Sequence, residues 1–440
     1  MYSSKISAML KKAGISIGDR VRVEKGGQTH EGILMPRAGE SDELVIKLDS
    51  GYNIGISSAG ATLSQLEKAP KKAEPAPEHY PRGEIAILGC GGTVLSKVEY
   101  KTGAAFPAFS PKDLFNAFPK LKHMASVHSK ILFQLLSEDM HSRHWSVVAQ
   151  EVANEIRDGA KGVIVMHGTD TLHYTSAALS FALANLPVPV VVMGAQRSSD
   201  RPSSDNESNI LNSILVAKSD LAHVGVCMHA NSNDDYAFFH LGTKVRKMHT
   251  SRRDAFRSIN TMPLAKVDHR NGTVEPLMPY QRRDEKRKLD LQNHFSQNVG
   301  MLYSHPGIKP ELVSKFADYD GLVLVGTGLG HVPTNAFNDK LANNLVPSLK
   351  SLIDSGIPVV MSSQTIYGRI NMGVYTAGRI LQDIGVIGNG ADWTPETAFV
   401  KLSWVLGKEK KMEKVKELMM KNIAGEITPR SNYEETFIDF

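Results

Sequence analysis

Val163-Ile164-Val165-Met166-His167-Gly168-Thr169-Asp170-Thr171 decides how this chain is read. Its first four residues are apolar and mostly β-branched, as in a buried strand. Residues 175–184 follow, rich in Ala and Leu, and read as a helix. A strand that stops at a glycine and feeds a helix is one βα unit. In open parallel sheets, ligands sit just outside the carboxyl ends of the strands. Two hydroxyls and a carboxylate at such a place are candidates for chemistry, although Thr171 and Asp170 can equally serve as helix caps. A second stretch follows the same plan: Ile85-Ala86-Ile87-Leu88-Gly89-Cys90-Gly91-Gly92-Thr93.

Working outward, strand and helix patterns alternate. Strands are expected at 84–88, 188–193 and 224–228, and helices near 111–118 and over 206–217. Another helix carries Trp145, Val148, Ala149, Val152, Ala153 and Ile156 at helical spacing. The alternation predicts an α/β domain with a parallel sheet. Strands over 321–325 and 359–362 and helices within 394–421 form a second such unit. Between them, residues 262–300 look irregular, and the charge run 282–288 reads as a solvated linker. The expected main domain is therefore two-lobed, with a large lobe over 84–270 and a small lobe over 300–440. Upstream, short alternating runs near 20–23, 31–35, 44–48 and 53–56, separated by Gly- and Asp-rich turns, suggest a small SH3-like β-barrel over 1–68. Prolines 70, 75, 77 and 81 make 69–83 a stiff, extended linker.

Composition narrows the class. The chain has 440 residues, 41% hydrophobic and 22% charged, as in an ordinary globular protein. Its net charge of +5 permits an acidic partner without demanding one. Two distant cysteines, Cys90 and Cys227, exclude a disulfide scaffold and a multi-cysteine zinc site, and fit a reducing compartment. Residues 1–12 lack the apolar core of a signal peptide, and no apolar run approaches the ~18 residues that span a bilayer. A cytoplasmic protein with no membrane contact is expected.

Gly-Thr pairs end three of the strands, at Gly92-Thr93, Gly168-Thr169 and Gly326-Thr327. A threonine hydroxyl is a poor nucleophile at neutral pH and needs a base or proton relay. No histidine is well placed in sequence near Thr93. A lysine from Lys244-Val245-Arg246-Lys247-Met248-His249-Thr250 can serve if it is desolvated or paired with a carboxylate; otherwise that run is a solvated face. Gly89-Cys90-Gly91 and Gly326-Thr327-Gly328 each begin a dinucleotide fingerprint, but Val94 and His331 occupy its third glycine place. Neither His141 with His144 nor His167 with His173 has supported metal-motif spacing, so no metal is expected.

Gly91-Gly92-Thr93-Val94 followed by His167-Gly168-Thr169-Asp170-Thr171 resembles the motif pair of the bacterial-type L-asparaginase/glutaminase family. Gly194-Ala195-Gln196-Arg197 and Ser137-Glu138-Asp139-Met140 resemble further signatures of that family, and the likeness runs from about residue 84 to near the carboxyl terminus. The amino-terminal module, the loop 196–205 and the run 244–258 together resemble one branch, the D subunits of archaeal glutamyl-tRNA(Gln) amidotransferases. The resemblance implies an asparaginase-type fold and assigns roles. Thr93 would be the nucleophile, attacking a side-chain amide to form an acyl-enzyme. Thr169, Asp170 and Lys247 would form the second catalytic group, with Lys247 placed by aligning the family's Asp-x-Phe-(Lys/Arg)-Ser segment on residues 254–258. Tyr100 would be the activating tyrosine of a lid over 94–109. Ser137 and Glu138 would bind the ends of the amino acid, Asp170 would also hold its α-ammonium, and Gly92 and Gly168 would line the site. Glu138 stands where plain asparaginases carry Gln, which makes the pocket more acidic. Cys90 is expected to be a small packed residue.

The branch resemblance implies that glutamine yields glutamate and ammonia. The ammonia would serve an E subunit that uses ATP and Mg to convert Glu-tRNA(Gln) to Gln-tRNA(Gln), in a heterotetramer of two D and two E chains. This chain would need no cofactor of its own, would meet tRNA mainly through the partner, and would be at least a homodimer. A free-standing L-asparaginase and a non-catalytic RNA-binding scaffold are the rival expectations. The basic runs permit the second, but no aromatic stacking motif supports it.

Overall fold

The computed structural model describes residues 2–36, 41–50, 52–68, 82–92, 96–98, 105–107, 118–197 and 203–431. The amino-terminal module opens with α1 (Ser4–Ala13), capped by the Ser3 hydroxyl and ended by left-handed Gly14. Five short strands follow: β1 (Arg20–Lys25), β2 (Gln28–Leu34), β3 (Glu43–Lys47), β4 (Asn53–Ser57) and β5 (Thr62–Glu67). They form an antiparallel sheet in the order β4-β3-β2-β1-β5. β5 returns to β1, where the register shifts between Arg20 and Val21, and this bends the ribbon as in an SH3-like module. The alternation read from the sequence is real: Val21, Val23, Leu44 and Ile46 are buried, and Ile6 and Leu10 of α1 join their core.

The large sheet contains β6 (Ile85–Gly91), β7 (Val127–Leu135), β8 (Gly162–Met166), β9 (Val190–Met193) and β10 (Val224–His229), all mutually parallel. Their spatial order is β7-β6-β8-β9-β10. The chain thus runs outward from β6 in one direction to β7, then crosses to β8 on the other side. The gap between β6 and β8 is a topological switch point, where crossovers leave in opposite directions and open a crevice. β6 and β8 pair from Gly162↔Ile85 to Met166↔Gly89, so their carboxyl ends, Gly91-Gly92 and His167-Gly168, lie side by side. Helices α2 (Ser142–Arg157), α3 (Leu172–Ala182) and α4 (Asn206–Lys218) cover the sheet. α2 and α3 share one core with the small lobe, while Ile210, Leu211 and Ile214 of α4 fill the opposite face. Burial on both faces explains why β8 is a continuous apolar run.

Beyond β10 the sheet turns antiparallel. β11 (Ala237–Leu241) is followed by a hairpin, β12 (Val245–Lys247) with β13 (Phe256–Ser258), and then β14 (Ala265–Asp268) and β15 (Thr273–Pro276) complete the sheet edge beside β11. This corrects the expectation of irregular structure from 262 onward, and β15 lies past the expected lobe limit at 270. The charge run 282–288 is also not simply solvated. Most of it is exposed, but Arg283 donates to the carbonyls of Lys161 and Ala217, and Arg287 donates to that of Leu186. These guanidinium groups satisfy carbonyls of two loops and of the end of α4 in the large lobe and strap the segment onto it.

The small lobe has three parallel strands, β16 (Val299–Tyr303), β17 (Gly321–Gly326) and β18 (Val359–Ser363), in that order. Helices α5 (Val346–Asp354), α6 (Thr376–Asp383), α7 (Pro395–Leu406) and α8 (Met412–Met420) pack with it. α7 contacts α3, joining the two lobes through a common apolar core. Among the described residues, no helix is long and apolar enough to cross a membrane.

Candidate active site

Three chain segments meet at the switch point, and glycine is what lets them. Gly92 has φ +88°, and a Cβ there would lie 2.6 Å from Gly168 N and 2.9 Å from the His167 carbonyl carbon. A Cβ on Gly168 would come within 2.8 Å of Ser137 Cβ. Ser137 opens a short 3-10 turn, Ser137–Asp139, after β7. Its carbonyl accepts from the Thr171 hydroxyl at 2.5 Å. Thr171 therefore makes no side-chain cap to α3, and the helix-cap alternative fails at this residue. Ser137 is buried and Glu138 exposed, and their side chains approach to 3.5 Å.

The hairpin reaches into this wall from the side. The Lys247 ammonium donates to Thr169 Oγ1 and to Asp170 Oδ1, each at 2.9 Å. Its side chain is 9% exposed, whereas that of Asp170 is 68% exposed. The Lys247–Asp170 pair thus has one face open to water, so it orients the groups more than it stabilises the fold. A threonine oxygen that receives an ammonium proton, with a carboxylate beside it, is suited to passing a proton to or from a third group. The structure thus brings together Gly92, Ser137, Glu138, Gly168, Thr169, Asp170 and Lys247. Thr93, the residue after Gly92, and Tyr100 lie outside the described residues. Of the expected lid, 96–98 and 105–107 pair as an antiparallel ribbon, and the rest lies outside the described residues.

His167, considered in the sequence only as a metal ligand, holds the pentad in shape. It is fully buried, with Nδ1 2.7 Å from the Gly168 carbonyl oxygen and Nε2 2.8 Å from Thr175 Oγ1. A carbonyl can only accept, so Nδ1 carries the proton and Nε2 accepts from the hydroxyl. Burial pushes its pKa down to about 4, which keeps the ring neutral. The signal was available as a histidine at a strand end with Thr175 one helical face away. Gly194 closes the next side: a Cβ there would meet the His167 carbonyl oxygen at 2.7 Å. The loop after it is pinned by Asp205, which accepts the main-chain N–H groups of Gln196 and Arg197 at 3.0 Å each.

The hairpin that carries Lys247 has its own support. Burial opposes ionisation of Asp254, but hydrogen bonds from Arg252 and Arg257 hold its carboxyl down at about 2. Cys90, on β6, points into the core, and burial pushes its thiol up to about 12, so it stays protonated. Among the described residues, no group of three or more His, Cys, Asp or Glu is placed to hold a metal ion.

Comparison with known proteins agrees with this geometry. The model "Asparaginase, N-terminal" matches residues 84–278, "Glutaminase/Asparaginase C-terminal domain" matches 298–419, and "GatD N-terminal domain" matches 15–66. The chain is 46% identical to the D subunit of the glutamyl-tRNA(Gln) amidotransferase of Methanobrevibacter smithii, covering 98% of each protein. It is 44% identical to the protein of the same name from Pyrococcus abyssi, covering 98% of this chain and 99% of that one. Among solved structures, the thermostable L-asparaginase from Thermococcus kodakarensis superposes with a TM-score of 0.69 at 29% identity, covering 79% of this chain and 99% of that one. L-asparaginase I from Vibrio cholerae gives a TM-score of 0.68 at 28% identity over the same shares. A two-lobed asparaginase-type α/β domain behind a small β module, matched end to end at this identity, places the chain in the asparaginase/glutaminase family, in the branch of glutamyl-tRNA(Gln) amidotransferase D subunits.

Proposed function

We propose that this chain is the glutaminase of a tRNA-dependent amidotransferase. It hydrolyses glutamine to glutamate and ammonia, and a partner uses the ammonia to convert Glu-tRNA(Gln) to Gln-tRNA(Gln). The observation that carries the reading is the Lys247 ammonium bonded to both Thr169 and Asp170 beside the Gly92 turn. In this reading Thr93 Oγ attacks the side-chain amide carbon, and Tyr100 accepts the hydroxyl proton. The tetrahedral oxyanion is met by backbone N–H groups after Gly168. The Thr169–Lys247–Asp170 group donates a proton to the departing nitrogen, which leaves as ammonia. The same group then takes a proton from water as water attacks the ester, and Tyr100 returns its proton to Thr93 Oγ as the ester bond breaks, freeing glutamate and restoring Thr93. A free amino acid is a zwitterion, so its two ends need donors and a carboxylate. Ser137 supplies the first, and Glu138 with Asp170 supplies the second.

The proposed division of the chain is an SH3-like module over 1–68, a linker over 69–83, a large lobe with the active site from 84, and a small lobe over 300–440. The proposed partner is the E subunit, with two copies of each chain in a cytoplasmic complex. That subunit uses the ATP and Mg and makes most of the tRNA contact, while this chain forms the homodimer. The test is ammonia release from glutamine and from asparagine, by the chain alone and with the partner and tRNA. Glutamine turnover that rises with the loaded partner supports the reading. Brisk asparagine turnover by the chain alone refutes it in favour of a free-standing L-asparaginase.

A further inference from the structure

Lys247 sits on the β12–β13 hairpin, but Thr169 and Asp170 follow β8. The fit between them is therefore set by whatever fixes the hairpin. Its loop and second strand are tied to the large lobe, by Arg253 to Asp234, Arg257 to the Ala230 carbonyl and Ser258 to His240, and its two ends are tied to the small lobe. Three residues before Lys247, Lys244 is completely buried. Its ammonium meets Asp392 twice, at 2.9 Å to Oδ2 and 3.0 Å to the main-chain oxygen. Asp392 is itself buried, accepts the N–H and hydroxyl of Thr428 at 2.9 and 2.5 Å, and lies 3.7 Å from Arg369. Past the other end of the hairpin, Asn260 is in the left-handed conformation at φ +59°. Its amide donates to the same Asp392 main-chain oxygen at 2.8 Å and to the Gly368 carbonyl at 3.1 Å, while its own oxygen accepts from Gly368 N–H at 2.8 Å. One small-lobe residue thus grips both ends of the hairpin. Between them, Arg246 bonds Glu396 of α7 at 2.9 Å.

A buried ion pair is a poor way to stabilise a fold, because desolvating both charges offsets most of their attraction. Its strength is geometric: an ammonium with directed donors fixes the main chain where an apolar side chain would let it slide. We propose that Lys244, acting through Asp392 and together with Asn260, is a positioning residue that registers Lys247 against Thr169 and Asp170. The proposal rests on the reading in which Lys247 belongs to the catalytic group.

The test uses the full chain in complex with its partner subunit and tRNA, with ammonia release from glutamine as the assay. The variants are Lys244→Met, Asn260→Ala and Lys247→Met, with each of the first two also combined with Lys247→Met. A misplacement near 1 Å costs about 10²-fold in rate, so Lys244→Met should lower kcat by about that factor with KM little changed. Asn260→Ala keeps the ion pair and should lower kcat by less, with the same split. In the Lys247→Met background, residual turnover read at high enzyme concentration should not fall further, because the group being positioned is gone. A merely structural role would cost the same factor in both backgrounds, and that result overturns the proposal. So does unchanged kcat in Lys244→Met, or in Asn260→Ala if Lys244→Met does not fold. Full turnover in Lys247→Met alone would remove the catalytic reading and this proposal with it. A hairpin variant without effect beside an inactive Lys247→Met removes the proposal alone.

Discussion

Gly92→Ala is the sharpest test of the switch-point geometry. Two separate costs follow from the structure. At φ +88° an L-residue is in the left-handed region, which costs about 1–2 kcal/mol. The added methyl would also stand 2.6 Å from Gly168 N and 2.7 Å from Gly168 Cα. Ordinary contact begins near ~3.5 Å, so one segment must retreat by about 0.9 Å. The obstacles are main-chain atoms, which cannot swing aside as a side chain can. β6 and β8 are buried on both faces and paired in register, so the displacement falls on the loops just beyond them. One of these leads into Thr93 and the other carries Thr169 and Asp170. A shift of about 1 Å between reacting groups costs about 10²-fold, equivalent to ~2.7 kcal/mol of barrier. Ammonia release from glutamine should therefore fall by at least about 10²-fold in kcat/KM, while the variant keeps its fold by circular dichroism and loses only a few degrees of thermal stability. Wild-type kcat/KM in a normally folded Gly92→Ala would show that the two loops do not form one site.

Three further predictions rest on buried groups. Cys90, with its thiol pushed up to about 12, should resist iodoacetamide in the native protein, and Cys90→Ala should keep its turnover; inactivation by the reagent with protection by glutamine would contradict this. Burial lowers His167 and His173 to about 4 and His240 to about 3 from an ordinary 6.5, so each contributes stability that is complete above about 6.5 and lost as pH falls toward 4. Each costs about 2 kcal/mol at pH 5, so the urea midpoint should drop between pH 7 and pH 5, and a flat midpoint would refute the assignment. Glu426 forms a wholly buried pair with Lys401 at 2.5 Å and accepts the N–H groups of Ile423 and Ala424. Glu426→Ala removes the counter-charge of that ammonium, leaving it only the Met419 and Lys421 carbonyls, and should cost about 3–5 kcal/mol in thermal unfolding, whereas a loss below about 1 kcal/mol would mean that water reaches the site.

The parallel core was readable in the sequence because its strands are buried on both faces and so appear as unbroken apolar runs, Ile85-Ala86-Ile87-Leu88 and Val163-Ile164-Val165-Met166. The antiparallel edge was not. β15, Thr273–Pro276, is mostly exposed and carries no apolar run, and its place is fixed by its partner β14 rather than by its own composition. The strap near 282–288 was misread because an arginine that turns inward to donate to carbonyls looks, in sequence, like one that faces water. Lys244 and Lys401 mislead in the same way: charge predicts exposure, and burial becomes visible only with the partners Asp392 and Glu426, which lie 148 and 25 positions away. Lys247 could be placed by family resemblance, but no local pattern distinguishes it from Lys244.

The same contrast explains why a site built in the large lobe leans on the small one. The Gly92, Ser137 and Gly168 wall is held by backbone contacts so close that side chains are excluded, and it belongs entirely to the large sheet. Lys247 reaches that wall from the side, its largely buried side chain ending in an ammonium that meets Thr169 and Asp170. A hairpin of two three-residue strands is too short to fix such an approach by its own ladder. Rigidity has to be borrowed from packed neighbours: the large lobe holds the loop and second strand at Asp234, Ala230 and His240, and the small lobe holds the ends at Asp392, Glu396 and Gly368. Large-lobe substitutions should therefore alter the shape of the wall and hence substrate binding. Substitutions in the small-lobe anchors should alter proton transfer at a nearly unchanged KM.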